Sequence, residues 1–121
     1  GASMVSNAKS DAMLSPEAIS IFASYYLGDT NPKEPLASPI FANLSNLPPT
    51  LVLVGSKEVL LSDSVTLVEK INAAGGSATL SVWPKMPHVF PILAAIIPEG
   101  KKAILDMAEF LRIHLGTIRL D

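Results

Sequence analysis

The apolar positions of this chain change period along its length, and each change marks an element. Ile19, Phe22, Ala23 and Tyr26 recur at i, i+3, i+4 and i+7, one stripe of an α-helix. Ser15 ahead of them suits the N-cap, Pro16 the first helical position, Glu17 the first turn and Gly28 the residue just past the end. From Thr50 to Val54 the residues form an apolar run bounded by Pro49 and Gly55, the pattern of a strand buried on both faces. A helix is predicted from near Ser62, with Asp63 at its positive end. Its apolar face is either Val65, Val68 and Ile71 or Leu67, Ile71 and Ala74, and Gly75-Gly76 stop it. Ala78–Trp83 alternates, as a strand nearer a sheet edge does. Pro91 is expected to open a short apolar helical piece to Ile97. Pro98-Glu99-Gly100 begins a last helix with Ile104, Ala108, Leu111 and Leu115 in one stripe, ended by Gly116.

Strand, helix and strand in this order predict a right-handed βαβ unit within an α/β fold. Two parallel strands with buried faces do not make a stable sheet by themselves. The expectation is therefore a domain incomplete in isolation, its sheet finished by an N-terminal part outside this sequence or, as the alternative, by other copies of the chain. Between the first helix and first strand, Gly28 to Pro49 carries five prolines, and Leu36, Ile40, Phe41, Leu44 and Leu47 can pin it to a core. A connection of that length in a small domain is expected to be functional or to wrap the surface. Residues 4–14 are mixed and polar, without a period. Gly1-Ala2-Ser3 before Met4 reads as a cloning remnant outside the fold, leaving 4–121 as a segment of one domain.

Composition narrows the function classes. Nine basic and eleven acidic residues give a net charge of −2 with no basic run, which points away from nucleic acid and anionic membranes. The longest apolar stretch, Val89–Ile97, contains Pro91 and is too short to span a bilayer, and no signal peptide is expected within these residues. Absence of cysteine excludes disulfides and thiolate metal sites and fits a reducing compartment. With two histidines, no metal site is expected. A mean hydropathy of +0.40 is high for 121 residues, so some apolar surface is expected to meet another chain or residues outside this sequence.

Catalytic groups of an open parallel sheet gather at the carboxyl ends of its strands. Glu58 lies just past the first predicted strand, and His88 just past the second, in the proline-bounded loop Trp83-Pro84-Lys85-Met86-Pro87-His88-Val89-Phe90-Pro91. A carboxylate on one imidazole nitrogen orients the ring and leaves the other as a general base. Spacing alone equally admits a surface glutamate and a loop histidine without a partner. Asp63 is a rival acid, or a carboxylate serving the helix dipole. His114, near a helix end, reads as a surface residue favoured by the dipole.

Two of these segments resemble bacterial hormone-sensitive-lipase-like esterases of the α/β-hydrolase superfamily. Leu47-Pro48-Pro49-Thr50-Leu51-Val52-Leu53-Val54-Gly55-Ser56-Lys57-Glu58-Val59-Leu60-Leu61-Ser62-Asp63-Ser64 is similar to the segment around that family's triad acid. Trp83 to Phe90 resembles its triad-histidine loop, and the likeness, with Pro35–Pro39 and the Ser15–Leu27 helix, runs from about residue 10 to 115. The resemblance implies the C-terminal part of an α/β-hydrolase that cleaves short-chain carboxylic esters without a cofactor, with His88 as base and Glu58 as acid. It further implies Val59, Leu60, Met86, Val89 and Phe90 as residues lining the substrate pocket, a homo-oligomer, and a bacterial cytoplasmic setting. Lys57 stands where relatives often carry an acidic residue. No Gly-x-Ser-x-Gly elbow or His-Gly-Gly-Gly loop occurs in the sequence; Ser56, Ser62 and Ser64 are poor substitutes for the nucleophile. The chain alone is therefore expected to be inactive. The alternative function is a non-catalytic interaction module that self-associates through its open sheet edge.

Overall fold

The computed structural model describes residues 1–116, and the chain divides into two compact units, Gly1–His88 and Val89–Asp121. The first unit runs α1 (Ser3–Ser6), α2 (Pro16–Leu27), a 3-10 turn (Pro39–Phe41), β1 (Thr50–Gly55), α3 (Leu61–Ala73) and β2 (Ala78–Trp83). β1 and β2 pair in parallel, with Thr50 opposite Ala78 and Gly55 opposite Trp83. Helix α3 crosses between them and packs on both strands through Val68 and Ile71, the first of its two predicted faces, which are buried with Val54 and Leu44. Asn72 ties the helix end to the second strand in both directions, donating from Nδ2 to the Ala78 carbonyl (3.0 Å) and accepting the Ala78 amide at Oδ1 (2.8 Å).

The proline-rich connection wraps onto α3. Lys70 Nζ donates to the Ile40 carbonyl at 2.7 Å and stands 5.7 Å from the centre of the Phe41 ring, near enough for a cation–π attraction. Helix α2 has the predicted ends: Ser15 Oγ accepts the Ala18 amide at 3.1 Å, and Gly28 leaves the helix at φ +52°, a left-handed conformation that glycine adopts without penalty. Its apolar stripe, however, is not a core face. Phe22 is 65% and Tyr26 75% exposed, and no residue of α2 is buried. Local signals suffice to form the helix, but among the described residues nothing covers that face.

Two further expectations are corrected. Ser3, placed outside the fold from the sequence, belongs to it: the residue is buried and begins α1. In the second unit, the piece opened by Pro91 is only a 3-10 turn, Phe90–Leu93. It is too short to nucleate an α-helix, and proline supplies no amide to it. The last helix, α4 (Pro98–Leu115), has the expected extent but turns a different face inward. Gly100 and Ala103 are buried, whereas Ile104, Leu111 and Leu115 are exposed. A side chain at Gly100 would press on Ala94 and on the Phe90 carbonyl, so the small residues are what let the helix lie on that turn.

We expect Ile71→Ala to lower the unfolding free energy in urea by about 3 kcal/mol through lost burial and a residual cavity. Phe22→Ser, on the exposed stripe, should change it by no more than about 0.5 kcal/mol in the same titration.

Candidate active site

Parallel pairing puts the carboxyl ends of β1 and β2 side by side, and backbone and side-chain bonds lace the two following loops together. The Ser56 amide donates to the Trp83 carbonyl at 2.9 Å, and Ser56 Oγ accepts the Lys85 amide at 2.9 Å. Gly55 lies so close to the histidine loop that a methyl group in place of its hydrogen would collide with the Met86 carbonyl. Lys85 (φ +63°) and Val89 (φ +49°) bracket His88 with left-handed backbone, a conformation especially unfavourable for a β-branched residue.

Glu58 and His88 meet. Oε2 of Glu58 lies 2.8 Å from Nδ1 of His88, while Oε1 accepts the Gly55 amide at 2.6 Å. Glu58 is only 4% exposed, so both oxygens need partners, and both have one. The His88 side chain is 34% exposed. A carboxylate at Nδ1 selects the tautomer with its proton there and leaves the Nε2 lone pair available. An imidazole held this way can take a proton at Nε2, the carboxylate stabilising the resulting cation.

The acid loop is itself clasped by a segment that reads as structureless from its apolar pattern. Ser3 Oγ donates to the Val59 carbonyl at 2.6 Å and accepts the Ser62 amide at 2.8 Å. Asn7 Nδ2 donates to the carbonyls of Glu58 (2.8 Å) and Ser56 (3.2 Å). Asp11 accepts the Val59 amide at Oδ2 (2.9 Å) and those of Met13 (2.9 Å) and Leu14 (3.0 Å) at Oδ1. Ser3, Asn7 and Asp11 recur at i, i+4 and i+8, the spacing of one helical face. A polar stripe was the available signal; a search for apolar period passes over it. Burial pushes the Asp11 carboxyl up, but the three amides and the nearby charge on His88 outweigh it and hold it below its ordinary value of 3.8.

The remaining sequence candidates take no part in the Glu58–His88 contact. Asp63 sits in the first turn of α3, with Oδ1 3.4 Å from the amino group of Gly1, and is not the carboxylate bonded to His88. Val59 and Phe90, expected to line a pocket, are buried packing residues. Leu60 borders an open groove of about 330 Å³ with Ser38, Pro39, Ile40, Asp63, Ser64 and Leu67, a groove that includes neither Glu58 nor His88. Met86 is half-buried and Val89 half-exposed. Ser62 is engaged by Ser3, and Ser64 Oγ donates to the Leu60 carbonyl at 3.1 Å. His114 packs against Phe110 in the last helix, ring centres 4.4 Å apart and the planes tilted by 51°. Among the described residues no three His, Asp or Glu side chains cluster as a metal site, and no helix is long and apolar enough to cross a membrane.

A family model described as alpha/beta hydrolase fold matches residues 1–92. This chain belongs to the alpha/beta hydrolase fold family. Within it the likeness is to esterases. The chain is 38% identical to an acetyl-hydrolase of Streptomyces hygroscopicus over 96% of its own length and 39% of that protein. It is 44% identical to an esterase of Acinetobacter venetianus, covering 86% of itself and 35% of that protein. A crystal structure of an esterase from the bacterial hormone-sensitive lipase family superposes with a TM-score of 0.94 at 47% identity, over 96% of this chain and 39% of that one. The chain thus corresponds to somewhat more than a third of these alpha/beta hydrolases, the part containing the two strands and flanking helices described above. The match to residues 1–92 includes the N-terminal segment that holds the acid loop.

Asn7→Ala should release two loop carbonyls and cost about 1–2 kcal/mol in urea unfolding, with faster exchange of the Leu61 amide, which bonds to the same Glu58 carbonyl. Because the folded state holds Asp11 below 3.8, its ionised form contributes stability that is complete above that pH and is lost as pH falls through the lowered folded value. The stability difference between the unaltered chain and Asp11→Asn should therefore be constant near neutrality and shrink below about pH 3.8 in acid titrations followed by circular dichroism.

Proposed function

We propose that the protein containing this chain is a carboxylic ester hydrolase with a Ser-His-Glu triad, of which residues 1–121 supply the base, His88, and the acid, Glu58. The 2.8 Å contact between Glu58 Oε2 and His88 Nδ1 carries this reading. It is supported by the second Glu58 oxygen on the Gly55 amide, which keeps the carboxylate from turning away from the ring. In the reaction, Nε2 of His88 takes the proton of a serine hydroxyl as oxygen attacks the ester carbonyl, and returns it to the departing alcohol. Water then repeats the sequence on the acyl-enzyme. The serine would come from outside residues 1–121, since no serine in them stands in a Gly-x-Ser-x-Gly turn. The ester substrate is carried over from the esterase and acetyl-hydrolase relatives, and its short acyl chain from the family resemblance.

A second reading, a non-catalytic module that associates with another copy, is favoured by one observation. Among the described residues the sheet has two strands, and Phe22, Tyr25 and Tyr26 lie in the open. A compact monomer in sedimentation at micromolar concentration would remove it.

In the complete enzyme, His88→Ala should lower kcat/KM on a short-chain nitrophenyl ester roughly a thousandfold or more, and Glu58→Ala roughly a hundredfold or more. Undiminished turnover in the His88 variant would overturn the assignment. The isolated 121-residue chain should hydrolyse the ester no faster than background.

A further inference from the structure

Taking His88 as the base of the proposed hydrolase, we infer that Ser56 is a positioning residue: its hydroxyl holds the Trp83–Met86 turn in the form that seats His88 against Glu58. The type of this turn follows from its backbone. The Met86 amide donates to the Trp83 carbonyl at 3.3 Å, which closes a β-turn. Pro84 takes the second position, where its ring fixes a negative φ, and Lys85, in the third, has φ +63°. A negative φ followed by a positive one makes a type II turn, whose third position suits glycine or asparagine.

Lysine is the misfit there. A type I turn joins the same ends and accepts lysine without strain, and the two forms differ by a flip of the peptide between the second and third residues. The amide of that peptide belongs to Lys85, and it donates to Ser56 Oγ at 2.9 Å. A flip would turn the amide away from Ser56, so this bond exists only in the form that lysine disfavours. The Ser56 hydroxyl thus offsets the backbone cost of Lys85.

Ser56 is itself held on both sides. Its amide donates to the Trp83 carbonyl (2.9 Å), the same oxygen that closes the turn, and its carbonyl accepts from Asn7 Nδ2 (3.2 Å). At the end of the turn, the Met86 carbonyl lies so close to Gly55 that a Cβ there would collide with it. Gly55 in turn donates its amide to Glu58 Oε1 at 2.6 Å. The turn and the acid therefore rest on one base, Gly55-Ser56. Between Met86 and His88 stands only Pro87, whose φ is fixed by its ring, so a change of turn reaches the imidazole with little slack.

The test is steady-state kinetics of the complete enzyme on 4-nitrophenyl acetate. Ser56→Ala should lower kcat roughly fivefold, about the worth of one hydrogen bond, and change KM less than about twofold, because the imidazole moves and the ester site does not. Ser56→Thr keeps a hydroxyl and should hold kcat within about twofold of the unaltered enzyme, whereas Ser56→Val, of the same shape without the hydroxyl, should match the alanine variant. The threonine–valine comparison decides the matter if the alanine variant does not fold. In a Lys85→Gly background the left-handed conformation carries no penalty, so adding Ser56→Ala should lower kcat by less than about twofold. A full loss in that background would place the effect of Ser56 outside the turn and overturn the inference. So would a loss carried by KM, or a threonine variant no better than valine. His88→Ala, measured alongside, separates the two levels. Turnover retained in that variant overturns the base and the role of Ser56 with it, while an inactive His88→Ala beside unaltered Ser56 variants overturns the role of Ser56 alone.

Discussion

A buried carboxylate is the constraint on which the rest of this structure depends. Glu58 has almost no contact with water, and an ionised group in that position is tolerable only when both oxygens are occupied. One partner is a backbone amide three residues earlier, at the end of β1; the other is an imidazole that belongs to the loop after β2. The acid therefore requires the two strands to be parallel, adjacent and in one register. The register it needs is the one that puts Gly55 opposite Trp83. Function and fold meet at this point: the bonds that make the carboxylate acceptable in the interior are the bonds that orient the histidine.

Among the described residues, most side-chain hydrogen bonds that join distant segments gather around the loop of that carboxylate. Ser56 links the acid loop to the histidine loop, and the absence of a side chain at Gly55 lets the Met86 carbonyl come close. From the other side, Ser3, Asn7 and Asp11 take up the loop's carbonyls and amides, groups that a short connection between a strand and a helix would otherwise leave to solvent. A loop secured in this way holds its side chains in few rotamers, so the Glu58–His88 geometry is set by the surrounding bonds. The left-handed backbone at Lys85 and Val89 belongs to the same picture, since strained residues persist where surrounding bonds over-determine them.

Membership of the alpha/beta hydrolase fold family accounts for the feature that composition made conspicuous. A chain of mean hydropathy +0.40 exposes apolar side chains such as Phe22, Tyr25, Tyr26 and Leu36, while it corresponds to little more than a third of the esterases it resembles. The exposed stripe of α2 has the regularity of a packing face.

Local order was legible in the residues alone. The Ser15–Pro16 start and Gly28 end of α2, the apolar run of β1 and the alternation of β2 all follow from interactions within a few positions, where sequence and geometry are tightly coupled. The pairing of Glu58 with His88 was legible only as an order of motifs and a resemblance, because spacing says which edge of the sheet two loops share and not whether their atoms touch. Three matters were decided by tertiary structure. Residues 3–11 carry a polar rather than an apolar period, and its meaning appears only when the carbonyls and amides it satisfies are in place. Helix α4 has apolar residues on more than one side, and Gly100 and Ala103, rather than the larger Ile104 and Leu111, are buried; at Gly100 close approach to the Phe90 and Ala94 backbone leaves no room for a side chain. The apolar stripe of α2 formed as predicted but stayed uncovered. Periodicity specifies which face of a helix is apolar; what lies against that face is a property of the whole chain in three dimensions.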